Sequence, residues 1–368
     1  MSEEHGTVSK VSLAALTVKV IFTALGRACV SPFKSNGART MFRDVAYSAF
    51  RTQLAGLTIA QEKHMFPATA ITYTEYMKKT NQTPQITELP SGLKLLWIGS
   101  RSAKTTLLYF HGGGYVNSAN DGQYAFYEDL VASVPDLAIA LPAYTLAPEA
   151  QYPTQLAQGV EALAHLLSQK PASSILIGGD SAGGNLTLSV LSHLLHPHPD
   201  PRVPRLDAPT EKFRAFLLIS PWVSFDTRHA SYTKNAQKDV FDGRSLDRWA
   251  KAFLGPNAKQ PATAPGQLRG DNYSEPLVAP EGWWSGAQDL VDDVLVWGGG
   301  GELFLDGISA FTEAFTDDWV KSGGERRNVS LVVTPECAHI EMALDKMFGY
   351  KDMNPGGRDV EGWLKAKL

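Results

Sequence analysis

Ser174–Asn185 reads Ser-Ile-Leu-Ile-Gly-Gly-Asp-Ser-Ala-Gly-Gly-Asn, and this segment indicates the fold most directly. A short apolar strand runs into the pattern G-x-S-x-G at Gly179–Gly183, and an amphipathic helix is predicted to follow. Small residues beside Ser181 allow a tight strand-to-helix turn, which exposes the Ser181 Oγ at a helix N-terminus. There the helix dipole favours a developing negative charge. The alternative is a plain glycine-rich turn, but the flanking strand and helix favour Ser181 as a nucleophile.

Outward from this turn, short apolar runs alternate with longer amphipathic stretches. Several runs are rich in leucine or β-branched residues, which is typical of strands buried on both faces. The alternation predicts a mostly parallel sheet with helices on both faces. The predicted strands are Ile86–Leu89, Lys94–Gly99, Thr106–Phe110, Leu137–Leu141, Ser174–Ile177, Ala215–Ile219, Asp293–Trp297 and Ser330–Val333. The predicted helices are Asp121–Ser133, Thr154–Ser168, Ala182–Leu195 and Leu303–Trp319.

Composition sets the broad class of the protein. The chain has 368 residues, of which 43% are hydrophobic and 20% charged, as in ordinary folded proteins. Its net charge of −4 gives no electrostatic reason to expect nucleic acid or an anionic membrane surface as a partner. The two cysteines, Cys29 and Cys337, form neither a disulfide framework nor a metal-binding pattern. These features predict a cytoplasmic protein.

Two segments depart from the alternation of strands and helices. Residues 1–80 look largely helical. Residues 226–285 contain many aromatic residues, glycines and prolines but no good central strand. We expect this second segment to be an insertion that folds over the carboxyl edge of the sheet, where open α/β sheets hold their ligands.

The apolar segment Val11–Leu25 allows several interpretations. It is shorter than the roughly 20 residues that span a bilayer, Lys19 interrupts it, and Glu3 and Glu4 precede it. We therefore predict a helix packed on the surface of the protein itself. A membrane-associated helix and a cleaved signal are the alternatives.

A glycine-rich loop follows the predicted strand Thr106–Phe110. It begins at His111 and contains Gly112, Gly113 and Gly114. Three glycines after a buried strand leave backbone N–H groups accessible, as an oxyanion hole requires. A flexible loop is the alternative, but its order and separation relative to Ser181 favour the oxyanion hole.

The general base is predicted by elimination. In sheets with such a serine turn, the order along the chain is serine, then acid, then histidine. Of the nine histidines, four precede Ser181, three lie on or just after the next helix, and His229 lies in the insertion. His339 alone follows the last predicted strand, and a surface histidine is the alternative.

The acid should lie just after the preceding strand, Asp293–Trp297. Four glycines follow this strand, and Glu302 is the first carboxylate after them, where we expect the next helix to open. Asp306, one helical turn further on, is the alternative acid. Either could instead be an ordinary acidic residue at a helix N-terminus. A nucleotide site is disfavoured because no Lys-Ser/Thr pair follows the glycines.

The motifs in combination resemble a known family. His111–Tyr115, Gly179–Asn185 and Tyr144–Glu149 resemble the hormone-sensitive-lipase-like branch of the α/β-hydrolases. Ile219–Trp222 and Asn272–Pro280 resemble its fungal esterase and arylacetamide-deacetylase-like members.

The resemblance covers roughly residues 85–345 and implies an α/β-hydrolase fold with a helical cap. Residues 1–80 would form an N-terminal cap segment, and residues 81–368 would form the catalytic domain with a cap insertion at 226–285. The family hydrolyses acyl esters without a metal or organic cofactor. The implied oxyanion donors are the amides of Gly113, Gly114 and Ala182.

The sequence thus predicts a serine esterase or deacetylase with Ser181, His339 and Glu302 as its triad. Its partner would be a small or medium apolar ester, and the resemblance to fungal members suggests a natural product. Glu302 stands where the family usually has Asp, and the segment around His339 is not the commonest one. Tyr115, Phe225, Trp283 and Trp284 are candidate pocket-lining residues, with ordinary core packing as the alternative.

Two further functions remain open at this point. The same triad could serve acyl transfer, condensation or cyclisation in a biosynthetic pathway. The second is that of a non-catalytic binding protein, because plant gibberellin receptors resemble the family but lack its histidine. The presence of His339 argues against a non-catalytic role. The sequence does not define an oligomeric state.

Overall fold

The computed structural model describes residues 8–259 and 268–368, which fold around an eight-stranded, mostly parallel sheet. The strands are β1 (Ile86–Glu88), β2 (Lys94–Ile98), β3 (Thr105–Phe110), β4 (Leu137–Pro142), β5 (Ile175–Asp180), β6 (Phe213–Ile219), β7 (Val291–Gly299) and β8 (Val329–Thr334). Their spatial order is β1-β2-β4-β3-β5-β6-β7-β8. Strand β2 is antiparallel to β1 and β4, and the other neighbouring pairs are parallel. The predicted sheet is confirmed.

The central strands are buried because helices cover both faces of the sheet. Every residue of β4 and of β5 is buried. Two hydrophobic clusters, one on each face, take alternate residues of these strands: Ile175 and Ile177 face one cluster and Leu176 faces the other. This packing fixes the carboxyl ends of β3, β5, β7 and β8 at one edge of the sheet, the edge at which ligands bind in open α/β sheets.

The helices flank and cap this sheet. They are α1 (Lys10–Val30), α2 (Met41–Gly56), α3 (Ile59–Met65), α4 (Thr69–Lys79), α5 (Asp121–Ser133), α6 (Thr154–Leu167), α7 (Ala182–Leu195), α8 (Ala230–Lys234), α9 (Gly243–Leu254), α10 (Ala287–Leu290), α11 (Leu305–Lys321), α12 (Glu341–Met347) and α13 (Pro355–Lys367). Helices α5 and α7 have the predicted bounds, and α6 ends one residue early.

Helix α11 corrects one detail of the sequence analysis. It begins at Leu305, so Glu302 lies in the loop before the helix and does not open it. The reason is local, since the Glu302 carboxylate accepts the Gly299 amide at 2.9 Å and the Glu302 amide donates to the Gly299 carbonyl at 3.1 Å. These two bonds close a tight turn over the glycines.

The N-terminal segment is helical and is bound to the rest of the fold; its residues 1–7 lie outside the described part of the chain. Arg43 of α2 pairs with Asp345 of α12, with an Nη2–Oδ2 distance of 2.8 Å. Thr69 of α4 lies 2.9 Å from His111 at the end of β3. Helix α2 therefore contacts the helix that follows His339, and α4 contacts the glycine-rich loop.

Helix α1 is attached to this segment by one side. Its Arg27 forms a buried ion pair with Asp44, at 2.6 Å, and Ser12 accepts a hydrogen bond from Gln61 at 2.7 Å. Most of its other side chains are exposed, among them Phe22 at 69%. Of the described residues, Lys10–Phe33 form one helical stretch long and apolar enough to cross a membrane, and its most apolar window is only 6% buried.

The segment 226–285, predicted to be an insertion, contacts the carboxyl edge of the sheet through some of its described residues; 260–267 lie outside the described part. Asp239 contacts the amides of Leu303 and His339, and the indole ring of Trp249 of α9 lies against Gly114. Described residues of this segment therefore contact the loops that follow β3, β7 and β8.

Candidate active site

Ser181 occupies a sharp turn between β5 and α7. Its φ of 54° and ψ of −118° are rarely adopted by residues other than glycine. The turn is possible because Gly183 lies against the Phe110 carbonyl, where a Cβ would overlap the oxygen. The hydroxyl of Ser181 makes no hydrogen bond to any described residue, and Ser181 keeps 7% of its surface exposed. The side chain is thus held at the sheet edge and is free to react.

The glycine-rich loop lies beside this turn. Gly113 and Gly114 have φ values of 117° and 61°, and a Cβ on Gly112 would come within 3.0 Å of the Ser181 Cβ. The amides of Gly113, Gly114 and Ala182 donate no hydrogen bond to any other residue in the described ranges. Three unpaired N–H groups next to an unpaired hydroxyl form a suitable site for an oxyanion.

Glu302 and His339 meet at the ends of β7 and β8. The Nδ1 atom of His339 lies 2.8 Å from the Glu302 Oε2, and both side chains are buried. When Glu302 is ionised, its carboxylate can only accept, so that Nδ1 carries the hydrogen and Nε2 is left free to take a proton. No hydrogen bond joins Nε2 to the Ser181 hydroxyl among the described residues.

Asp306, the alternative acid, is not paired with His339. It lies in the first turn of α11, and its carboxylate accepts the Ser231 amide at 2.7 Å. The structure therefore brings Glu302, and not Asp306, to the imidazole.

Burial dominates the electrostatics of the acid and the base. It raises the pKa of Glu302 and lowers the pKa of His339, because each charged form loses water. The Ser220 hydroxyl and the Gly299 amide oppose the rise at Glu302, and Asp239 and Asp180 oppose the fall at His339. The imidazole is therefore neutral at pH 7 and can act as a base.

Aromatic side chains enclose the imidazole. The rings of Phe241 and Phe304 lie edge-on to His339, with centroid distances of 4.7 and 4.9 Å. Phe304 also stacks with Trp222. This enclosure excludes water and strengthens each electrostatic interaction within the site.

Residues of the N-terminal segment support the glycine-rich loop. The Nε2 of His111 lies 2.9 Å from the Thr69 hydroxyl, and its ring stacks on Tyr144 at 4.5 Å. Glu62 of α3 is fully buried and accepts the Trp249 indole N–H at 2.7 Å. The loop is thus fixed from two sides by chain segments distant in sequence.

The four candidate pocket residues occupy different environments. Tyr115 is fully buried, stacks on Phe253 at 3.7 Å, and donates to Asn185 at 2.6 Å. Trp284 packs on Phe311 and Phe315 of α11. Of the other two candidates, Phe225 packs against Trp222, and Trp283 packs against His196. Tyr115 and Trp284 therefore have mainly packing roles.

Of the two cysteines, Cys29 is exposed, Cys337 is buried, and both are free.

Two residues that no sequence pattern predicted contact Glu302 and His339. Ser220, after β6, contributes a hydrogen bond to Glu302 and accepts the Ile340 amide at 3.3 Å. Asp239 accepts the His339 amide at 3.1 Å. No motif marks Ser220, whereas Asp239 follows Ser231 and Asn235 at a regular spacing of four residues.

A serine on a strand-to-helix turn, at the carboxyl edge of a mostly parallel sheet, defines a protein of α/β-hydrolase architecture. The family model described as alpha/beta hydrolase fold matches residues 107–340. The chain belongs to this family.

Named relatives share about two fifths of the chain. Arylacetamide deacetylase of Bos taurus is 32% identical over 166 residues, which are 42% of this chain and 39% of the relative. Steryl acetyl hydrolase 1 of Saccharomyces cerevisiae is 27% identical over 161 residues, 41% of this chain and 35% of the relative. Ethyl acetate hydrolase of Pseudomonas putida is 34% identical over 152 residues, 39% and 44% respectively. The matched part is less than half the length of each relative.

Solved structures share the fold over most of the chain. A hormone-sensitive-lipase homologue from a metagenome library, EstE7, superposes with a TM-score of 0.62 at 20% identity and covers 89% of this chain and 96% of its own. The esterase EstE5, soaked with p-nitrophenyl butyrate, has a TM-score of 0.57 at 22% identity and covers 87% and 91%. At these identities the likeness supports the fold alone.

Proposed function

We propose that the chain is a serine carboxylic-ester hydrolase that forms an acyl-enzyme on Ser181. His339 is the general base, and Glu302 orients its imidazole and balances its charge. The observation that carries the proposal is the unpaired Ser181 hydroxyl beside three unpaired amides, near a buried Glu302–His339 pair at 2.8 Å.

The reaction proceeds in two acyl-transfer steps. The Ser181 oxygen attacks the ester carbonyl while His339 Nε2 takes its proton, and the amides of Gly113, Gly114 and Ala182 donate to the oxyanion. Losing one such donor typically costs about 3 kcal/mol of transition-state stabilisation. The imidazolium then protonates the leaving alcohol. Water activated by His339 hydrolyses the acyl-enzyme.

The substrate class follows from the enclosed site and from the relatives. The imidazole is surrounded by apolar rings, and no charged group is required to bind an uncharged ester. The relatives include proteins named as an acetyl hydrolase, a deacetylase and an ethyl acetate hydrolase. We therefore favour a small or medium apolar ester with a short acyl group, and an acetylated natural product is the physiological substrate that fits.

Initial rates on p-nitrophenyl acetate, butyrate, octanoate and palmitate test this proposal. We expect the highest kcat/KM on acetate or butyrate and a steep fall at octanoate, because long acyl chains must displace the enclosing aromatic rings. A folded protein that turns over none of the four esters would contradict hydrolysis and favour acyl transfer, condensation or binding.

The N-terminal segment and the insertion act together as the cap in this proposal. Glu62 of α3 accepts hydrogen bonds from Trp249 and forms an ion pair with Arg248, both in α9. Arg51 of α2 donates to the Asp239 carbonyl at 2.5 Å. These contacts join residues 1–80 to the insertion at 226–285 over the sheet edge.

Helix α1 gives the enzyme a route to a membrane surface. Its inner side is bound to α2 and α3 through Arg27 and Ser12, while its outer side exposes Val18, Ile21 and Phe22. A helix anchored along one side to the catalytic unit cannot readily cross a bilayer. We therefore favour attachment in the plane of the membrane surface over insertion across it.

Sedimentation with neutral phosphatidylcholine vesicles tests this attachment. We expect the chain to co-sediment, and the double change Ile21→Glu and Phe22→Glu to leave it in the supernatant, because both side chains are exposed on the outer face, at 52% and 69%. Turnover of p-nitrophenyl acetate in solution should not change. Equal sedimentation of both proteins, or none of the unchanged chain, would contradict membrane attachment through α1.

A further inference from the structure

Asp239 is a buried carboxylate that joins three distant segments of the chain. Its Oδ1 accepts the backbone N–H of its neighbour Val240 at 2.8 Å and that of His339 at 3.1 Å. Its Oδ2 accepts the backbone N–H of Leu303, the residue after Glu302, at 2.6 Å. Asp239 has no exposed surface, and its carboxylate forms no ion pair with a lysine or arginine of the described residues, although Arg51 donates to its backbone carbonyl.

The geometry points to Asp239 as a positioning residue that holds the loops of Glu302 and His339 together and places a further carboxylate at the backbone of His339. This inference rests on the proposed ester hydrolysis. It assigns to the insertion a role in aligning the acid and the base, in addition to covering the substrate.

Two neighbouring side chains, those of Asn235 and Ser231, bind the same loop as Asp239, and we call these three residues the clamp. Asn235 donates its side-chain N–H to the Glu302 carbonyl at 2.8 Å, and Ser231 donates its hydroxyl to the Leu303 carbonyl at 2.6 Å. Ser231, Asn235 and Asp239 are four residues apart, and i to i+4 backbone bonds link each to the next. The spacing places all three on one face of this segment, toward the loop of the acid.

The charge of Asp239 bears directly on the base. Proton transfer from Ser181 creates an imidazolium in a site that excludes water, and a nearby carboxylate stabilises that cation. The three backbone N–H donors favour the ionised carboxylate, while burial and Glu302 raise the pKa of Asp239 to about 6. The charged carboxylate is the form that these three donors bind.

The decisive variant is Asp239→Asn, which keeps the size of the side chain. Its amide group would direct N–H toward a backbone N–H, breaking the bond to Leu303 or to His339. We expect kcat for p-nitrophenyl acetate to fall by about 100-fold, as small displacements of catalytic groups do, while KM changes by less than about threefold.

The matched control is Asp318→Asn. Asp318 is also a buried carboxylate that accepts two backbone amides, from Gly282 and Trp284, at 2.9 and 3.2 Å, and it lies on α11 away from His339. We expect this variant to lose thermal stability in a similar way and to keep the kcat of the unchanged chain. An equal loss of kcat in both variants would overturn the positioning role.

The pH profile separates charge from simple anchoring. Without the Asp239 carboxylate, the imidazolium of His339 loses support, so the acid limb of kcat/KM should move to lower pH in Asp239→Asn. The other titratable or charged groups that face Asp239 and His339 are Glu302, Asp180, Arg51 and Tyr232. They are unchanged in the variant. An acid limb at the same pH as in the unchanged chain would overturn the electrostatic part of the inference.

Asn235→Ala provides a test if Asp239→Asn does not fold. It removes one bond to the Glu302 carbonyl and leaves the Asp239 charge in place, so we expect a smaller fall in kcat and an unmoved acid limb. An unchanged kcat would contradict the clamp. The unchanged chain tests ester hydrolysis separately: its inactivity would remove the proposed function, whereas its activity together with an active Asp239→Asn would remove only this inference.

Discussion

Replacing Ser181 with alanine is expected to lower kcat for p-nitrophenyl acetate by about 10⁶-fold, the loss typical of removing the nucleophile of a serine hydrolase. This corresponds to about 8 kcal/mol of activation free energy. Without Oγ no acyl-enzyme can form, and only the oxyanion amides and the binding of substrate remain. Burst and steady-state rates of p-nitrophenol release measure the effect.

The fold should tolerate this change, because alanine at φ 54° is no more strained than serine. Ser189→Ala, in the helix that follows Ser181, is the matched control, since Ser189 bonds to the Tyr273 carbonyl and not to the site. It should keep normal turnover. Turnover by Ser181→Ala within about 100-fold of the unchanged chain would assign the nucleophile to another group.

Replacing Glu302 with glutamine is expected to lower kcat by about 10⁴-fold, with little change in KM. Glutamine keeps the shape of the side chain but carries no charge, and its amide can donate to Nδ1. The imidazole would then hold its hydrogen on Nε2, where it cannot accept the Ser181 proton. The charge that stabilises the imidazolium would also be lost.

Asp306→Asn is the control for this second variant. Asp306 accepts the Ser231 amide and does not touch His339, so its replacement should cost far less than that of Glu302. The comparison is made by kcat on the same ester, with thermal midpoints to verify folding. A larger loss in Asp306→Asn than in Glu302→Gln would reverse the assignment of the acid.

The sheet and the serine turn could be predicted because their determinants are local. Strands such as Leu137–Pro142 are continuous apolar runs, and the glycines around Ser181 are required by contacts within the turn itself, as at Gly183. The order of Ser181, Glu302 and His339 along the chain also follows from the topology of the sheet.

The rest depends on contacts between distant segments. Asp239 gains its role only when the amides of Leu303 and His339 converge on it, 64 and 100 residues further along the chain. Its spacing from Asn235 is visible in the sequence, but the partner of that face is not. Tyr115 and Trp284 were plausible pocket residues because an aromatic side chain serves a core equally well, and only packing distinguishes the two.

The start of helix α11 also depends on contacts that are evident only in the folded chain. Helix propensity allows a helix from Leu303, but the turn that Glu302 and Gly299 close by reciprocal hydrogen bonds delays it to Leu305. The position of Glu302 after β7 could be predicted from the sequence, while the hydrogen bonds that hold its carboxylate are evident only in the folded chain.

Covalent labelling tests the central claim, a nucleophilic Ser181, most directly. The chain is treated with a fluorophosphonate at pH 7.5 and digested, and the peptides are sequenced by mass spectrometry. We expect a single stoichiometric phosphonyl adduct on Ser181 and a strongly reduced labelling rate in His339→Ala. No adduct, or an adduct on a different residue of the folded protein, would contradict it.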